Sequence, residues 1–116
     1  YGEGLQRIFF MSLIFSSASN GVVLIDEFEN ALHHSLISDF SSFIYKMAKN
    51  FNVQVFITSH SKECIDAFTL NPNIKSEDLA CHALVNNDGK ITNKNFDGDT
   101  FRTLVDAGNV DLRDAR

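Results

Sequence analysis

Two adjacent carboxylates, Asp26 and Glu27, follow directly on the run Val22-Val23-Leu24-Ile25. Four branched apolar residues that end abruptly in acids read as a buried central strand delivering carboxylates at its carboxyl end. Ligands of open α/β sheets bind in the crevice outside such strand ends. A Mg²⁺ ion takes one or two carboxylates together with substrate phosphates, and a second carboxylate beside it can orient and deprotonate an attacking water. The expected chemistry is hydrolysis of a nucleotide phosphate, or part of a site that performs it.

Two further polar clusters accompany the acids. Thr58-Ser59-His60-Ser61 ends a second apolar, β-branched run that starts at Val53. An imidazole there could hydrogen-bond a terminal phosphate or a water. Gly2-Glu3-Gly4-Leu5-Gln6-Arg7 stands at a helix start, where glycines let backbone N–H groups approach an anion and the helix end adds positive charge. Each cluster also has a plainer reading. The acids could end a strand and cap the next helix, His60 could be a structural histidine, and the glycines could be an ordinary helix start.

The elements that must position these groups are legible as a βαβ unit. Residues 3–18 read as a helix that is apolar nearly all round, hence buried. Ser19-Asn20-Gly21 is a turn. Residues 22–26 form the first strand, and residues 27–34 a loop carrying Glu29, Asn30, His33 and His34. Residues 35–50 repeat apolar side chains at helical spacing, and 53–58 form the second strand. Short connections make the two strands parallel with a right-handed crossover, so Asp26, Glu27 and His60 should share one crevice. Residues 61–69 are a short helix. Beyond Pro72, Asp88-Gly89 separates two extended runs, a hairpin signal, and residues 99–108 form a last helix ending near Gly108.

Bulk properties narrow the function classes. The 116 residues suffice for one domain, 44% are hydrophobic, and Phe occurs 11 times. The net charge of −5 argues against a broad nucleic-acid surface on this chain, although a DNA contact through a longer protein stays open. Cys64 and Cys81 lack metal-ligand spacing and suit inert, buried thiols in a reducing cytoplasm. No signal peptide or apolar stretch long enough to span a bilayer is visible. Adjacent His33 and His34 read as structural or interfacial rather than as zinc ligands. His82 reads as structural, and Asp97-Gly98-Asp99 as a turn and N-cap rather than a metal site. The chain opens at Tyr1 inside a motif, so it reads as a piece of a longer polypeptide.

Together these segments resemble the C-terminal half of the nucleotide-binding domain of ABC-type ATPases, and within them the soluble OLD/RecF-like group of the AAA-like superfamily. Tyr1-Gly2-Glu3-Gly4-Leu5-Gln6-Arg7 resembles the tail of the signature motif. The segment from Leu24 to Ser35 resembles Walker B running into the D-loop, and Val53 to Ser61 the switch-histidine strand. The later hairpin and the ending Val110-Asp111-Leu112-Arg113 resemble the small C-terminal closure of the group.

The resemblance implies ATP as substrate with Mg²⁺ as cofactor. Asp26 would hold Mg²⁺, Glu27 would be the general base, and His60 would contact the γ-phosphate. Gly2, Glu3 and Gly4 would meet the nucleotide of a second subunit in a head-to-tail dimer, and Asn30 to His33 would line the dimer interface. The implied fold is α/β: part of a P-loop NTPase sheet with a parallel βαβ core, helices on its faces, and a small C-terminal β-hairpin plus helix. Residues 1–70 would be the catalytic core and 71–116 the closure. Phe28 stands where transporters carry Pro, and His33 where they carry Asp, which favours the OLD-like group. No GxxxxGK[ST] is present, so the 116 residues carry half of a site and would be inactive alone. Two other readings stand beside ATP hydrolysis. One is a truncated, non-enzymatic module that pairs with another ATPase; the other is an ATPase gate of a DNA-repair or phage-defence nuclease assembly.

Overall fold

The computed structural model describes residues 2–28 and 34–106, with the side chains of Gly2, Glu3 and His34 left aside. Helix α1 (Gly2–Ser17) leads through a turn into strand β1 (Val22–Ile25). A 3₁₀ turn (His34–Leu36) opens helix α2 (Ile37–Phe51), followed by strand β2 (Gln54–Ile57) and helix α3 (Lys62–Thr69). A second 3₁₀ turn (Ser76–Asp78) precedes strands β3 (Ala80–Asn87) and β4 (Lys90–Asp97) and helix α4 (Gly98–Asp106).

β1 and β2 pair in parallel with Val22 opposite Gln54 and Ile25 opposite Ile57. Their amino ends are pinned by two asparagines in the left-handed region, Asn20 at φ 64° and Asn52 at φ 53°. Asparagine is among the few side chains that visit that region readily. The Asn52 amide donates to the Asn20 side-chain oxygen at 3.0 Å, and the Gln54 N–H donates to the Gly21 carbonyl at 3.0 Å. The βαβ unit therefore forms as its apolar runs predict, with strand register set by these turns.

The inward residues Val23, Ile25, Val55 and Ile57 pack with Phe15 of α1, with Ile37, Phe40 and Ile44 of α2, and with Cys64 of α3. Two expectations need correction here. Helix α1 is not buried all round: Leu5, Phe9, Phe10 and Leu13 are each more than half exposed. β1 is not buried on both faces either, because Leu24 is 75% exposed and Phe56 of β2 45% exposed. The physical reason is a layer count. A strand that is apolar on both faces needs cover on both, and among the described residues α1, α2 and α3 all join the cluster on one face. Among the described residues, helices therefore cover one sheet face.

The hairpin is antiparallel with Asn87 opposite Lys90, so Asp88-Gly89 is a two-residue loop. Both carry positive φ, 51° and 83°, as a type I′ turn requires. His82 lies opposite Asn95, and its Nδ1 is 2.6 Å from the Asn95 side-chain oxygen, in keeping with a structural histidine. The Cys64 thiol is buried; Cys81 is half-buried and desolvation pushes its thiol up to about 11, so Cys81 stays protonated at neutral pH. Asp97 caps α4 by accepting the Thr100 N–H at 2.8 Å. Gly98 beside it is the one residue that fits, since a Cβ there would come 1.9 Å from the Ser76 carbonyl oxygen. Asp97→Ala should lower stability by removing this cap, read as a lower melting temperature with unchanged secondary structure.

The C-terminal elements are tied to the core by charge-assisted bonds. Arg102 of α4 donates to the Thr69 carbonyl at 2.7 Å, the Ser76 hydroxyl at 2.8 Å, the Asn71 carbonyl at 3.0 Å, and the Ile74 carbonyl. On the other side of the second 3₁₀ turn, the Asp78 carboxylate accepts from the Tyr45 hydroxyl at 2.6 Å and from Lys49 at 3.2 Å. The Tyr45 bond first, then that of Lys49, hold the Asp78 carboxyl below the ordinary aspartate range. A depressed carboxylate stabilises above its unfolded pKa and loses that contribution as pH falls through the folded one. Asp78→Asn should therefore lower the melting temperature at neutral pH, with the gap to wild type closing below about pH 4.

Candidate functional site

The site lies at the carboxyl ends of β1 and β2, where parallel pairing sets Ile25 beside Ile57. Past that register the chains stop being strands but stay bonded through Thr58. Its N–H donates to the Ile25 carbonyl at 2.9 Å, extending the ladder by one step. Its hydroxyl donates to Oδ1 of Asp26 and accepts the Glu27 N–H at 2.9 Å. Its carbonyl accepts the Phe28 N–H at 3.1 Å. One residue thus engages four successive residues of the acid-bearing strand end.

Glu27 adopts φ 51°, in the left-handed region. That conformation costs a non-glycine residue roughly 1–2 kcal/mol, so neighbours must enforce it. Two neighbours do so. The Thr58 hydroxyl holds the Glu27 amide, and Phe28 is fully buried, edge-on to Phe68 with ring centroids 5.3 Å apart. The turn ends the strand alternation after Asp26 and drops Phe28 into the core, leaving Asp26 and Glu27 exposed above it. The Phe28 N–H also explains why Pro would not serve here: proline has no amide hydrogen to give to Thr58.

His60 lies two residues beyond Thr58, exposed, at the same end of the sheet as the acids. Ser59 and Ser61 shape the backbone around it. The Ser59 hydroxyl accepts the Ser61 N–H at 3.1 Å, and the Ser61 side chain caps α3 by accepting from Cys64 N–H at 3.4 Å. At the other cluster, Gly2 and Glu3 open helix α1, and a Cβ on Gly4 would lie 3.9 Å from a Leu36 methyl group. The N-terminal turn of α1 therefore sits against the start of α2. Asn30 and His33 lie outside the described residues.

Sequence reasoning missed Thr58. A threonine closing a β-branched strand reads as strand propensity, and its bond to Asp26 spans 32 positions, a distance only pairing register reveals. For a Mg²⁺ ion the site offers a hard oxygen donor. Asp26 is exposed, and with Oδ1 engaged by a hydroxyl its second oxygen remains to face a hydrated cation. Among the described residues no group of three His, Cys, Asp or Glu side chains could hold a metal by itself, so substrate oxygens and water would complete the coordination. No helix among them is long and apolar enough to cross a membrane.

Comparison with known proteins bears on the same segment. The family model described as "AAA domain, putative AbiEii toxin, Type IV TA system" matches residues 1–66, more than half of the chain and all three polar clusters. The chain is 43% identical over 65 residues to an uncharacterized protein of Methanocaldococcus jannaschii, covering 56% of this chain and 57% of that one. It is 34% identical over 84 residues to an ATP/GTP phosphatase of Helicobacter pylori, covering 69% of this chain and 22% of that protein. The chain thus spans about half and about a fifth of the lengths of these two curated relatives. No solved structure matches it.

Proposed function

The chain belongs to this AAA-domain family, and on that premise we propose that it supplies the hydrolytic half of a Mg²⁺-dependent ATPase site. The carrying observation is the pair Asp26-Glu27 held by Thr58 at the carboxyl end of a parallel strand pair, with His60 two residues beyond Thr58 at the same sheet end. In this reading Asp26 would hold Mg²⁺, which would supply positive charge beside the phosphates. Glu27 takes a proton from the attacking water, and His60 hydrogen-bonds the γ-phosphate. The likeness to a protein named an ATP/GTP phosphatase supports nucleotide hydrolysis at the general level.

A phosphate cradle must come from outside these 116 residues, which contain no GxxxxGK[ST]. The finer reading is an OLD-like ATPase acting as a head-to-tail dimer. There Gly2, Glu3 and Gly4 approach the nucleotide of a second subunit, and Asn30 and His33 line the interface. A nucleic-acid partner, if the protein has one, is contacted by other parts of the full-length polypeptide, given the net charge of −5 here.

The test is Mg²⁺-dependent ATP turnover by the longest in-frame product that contains this sequence, with Glu27→Gln as control. Turnover that requires Mg²⁺ and is lost in the variant supports the reading. A product that neither binds nor hydrolyses ATP overturns it and favours a non-enzymatic pairing module.

A further inference from the structure

We infer that Thr58 is a positioning residue for the hydrolytic site: its hydroxyl sets the orientation of the Asp26 carboxylate and the backbone turn of Glu27 through one donated and one accepted hydrogen bond. The inference rests on the proposed ATPase reading and deepens it. A threonine hydroxyl has one hydrogen and two lone pairs. The hydrogen goes to Asp26 Oδ1, and a lone pair takes the Glu27 N–H. The direction of the first bond follows from chemistry, since an ionised carboxylate can only accept. The direction of the second follows because an amide N–H can only donate.

This arrangement links the two acids through one atom. Consecutive residues of an extended strand point to opposite faces, so an Asp-Glu pair at a strand end does not by itself present both carboxylates to one ligand. The turn at Glu27, φ 51°, breaks that alternation, and the Thr58 oxygen holds the amide of the turning residue. The same oxygen fixes the torsion of the Asp26 side chain and leaves its second oxygen toward solvent. Partners of this kind, one bond removed from a metal, orient ligands they do not replace.

The experiment uses the longest in-frame product and compares wild type, Thr58→Val, Thr58→Ser and Glu27→Gln over a range of Mg²⁺ concentrations at saturating ATP. Valine keeps the shape and removes the hydroxyl; serine keeps the hydroxyl. Thr58→Val is expected to lower kcat or raise the Mg²⁺ concentration for half-maximal turnover by roughly 10- to 100-fold, with the KM for ATP nearly unchanged. Thr58→Ser is expected to stay within about threefold of wild type, which a purely packing role would not produce. Should Thr58→Val fail to fold, Thr58→Ala takes its place against Thr58→Ser. Turnover of the hydroxyl-less variant within twofold of wild type, or an equal fall in the serine variant, overturns the inference while the ATPase reading stands on the loss in Glu27→Gln. Absence of turnover in wild type overturns both.

Discussion

On the proposed reading, Glu27→Gln should lower Mg²⁺-dependent ATP turnover by roughly 10²- to 10⁴-fold, the contribution expected of a positioned general base, while ATP binding persists. Glutamine keeps most of the framework around position 27. The left-handed turn at position 27 and its bond to the Thr58 hydroxyl are backbone features, so they survive a change of side chain. The Asp26 carboxylate and its bond to Thr58 are untouched. The volume at position 27 is nearly conserved, and the residue is exposed, so packing is little disturbed. Lost is the carboxylate that the proposed reading makes the proton acceptor. Turnover should fall without a matching fall in affinity, the signature of an interaction made only in the transition state. Single-turnover kinetics with retained nucleotide would display the split directly. A variant turning over within tenfold of wild type would remove Glu27 as the base and leave Asp26 and His60 to be tested in its place.

How far the sequence alone reaches depends on the range of the interaction concerned. The strand runs ending at Ile25 and Ile57, the helix between them and the Asp88-Gly89 hairpin are written in local periodicity and turn chemistry, and all of them form. The N-cap at Asp97 is equally local. What surrounds a segment is not local. The apolar composition of α1 indicates that Phe9, Phe10 and Leu13 want cover, but not that the described elements leave them exposed. Leu24 and Phe56 make the same point for the sheet: their side chains suit a two-sided burial that α1, α2 and α3 provide on one side.

Thr58 and Arg102 carry the clearest cases of long-range content. Each is unremarkable in its own segment, and each binds several partners far away in sequence: residues 25–28 for Thr58, residues 69–76 for Arg102. Gly98 belongs with them, because its lack of a side chain answers to the Ser76 carbonyl rather than to its own turn. For the candidate site the residue types and the shared sheet end were legible, since parallel strands must align their carboxyl ends. The atom that joins the two acids was not, because only the pairing of Ile25 with Ile57 brings residue 58 to residues 26 and 27.

Phe28→Ala should cost about 3–5 kcal/mol of stability, the usual penalty for emptying a buried phenylalanine site. Phe28 is 0% exposed and lies in one cluster with Phe15, Val23, Ile37, Phe40 and Cys64. Its edge contact with Phe68 adds to the area it buries. The site cannot readily collapse, because the cluster around it draws on three helices and two strands that other contacts hold apart. Against typical domain stabilities of roughly 5–15 kcal/mol, such a loss moves the unfolding midpoint far enough to read in denaturant titration, with the slope unchanged if the denatured state is unaffected. Phe28→Leu should cost less, since most of the apolar volume remains. The pair of variants also separates packing from chemistry. Both keep the N–H that bonds the Thr58 carbonyl, so below its unfolding midpoint the leucine variant should turn over ATP nearly as wild type does. A loss under about 1 kcal/mol in Phe28→Ala would mean that the core does not rest on Phe28, and that the turn at Glu27 is held by the Thr58 bonds alone.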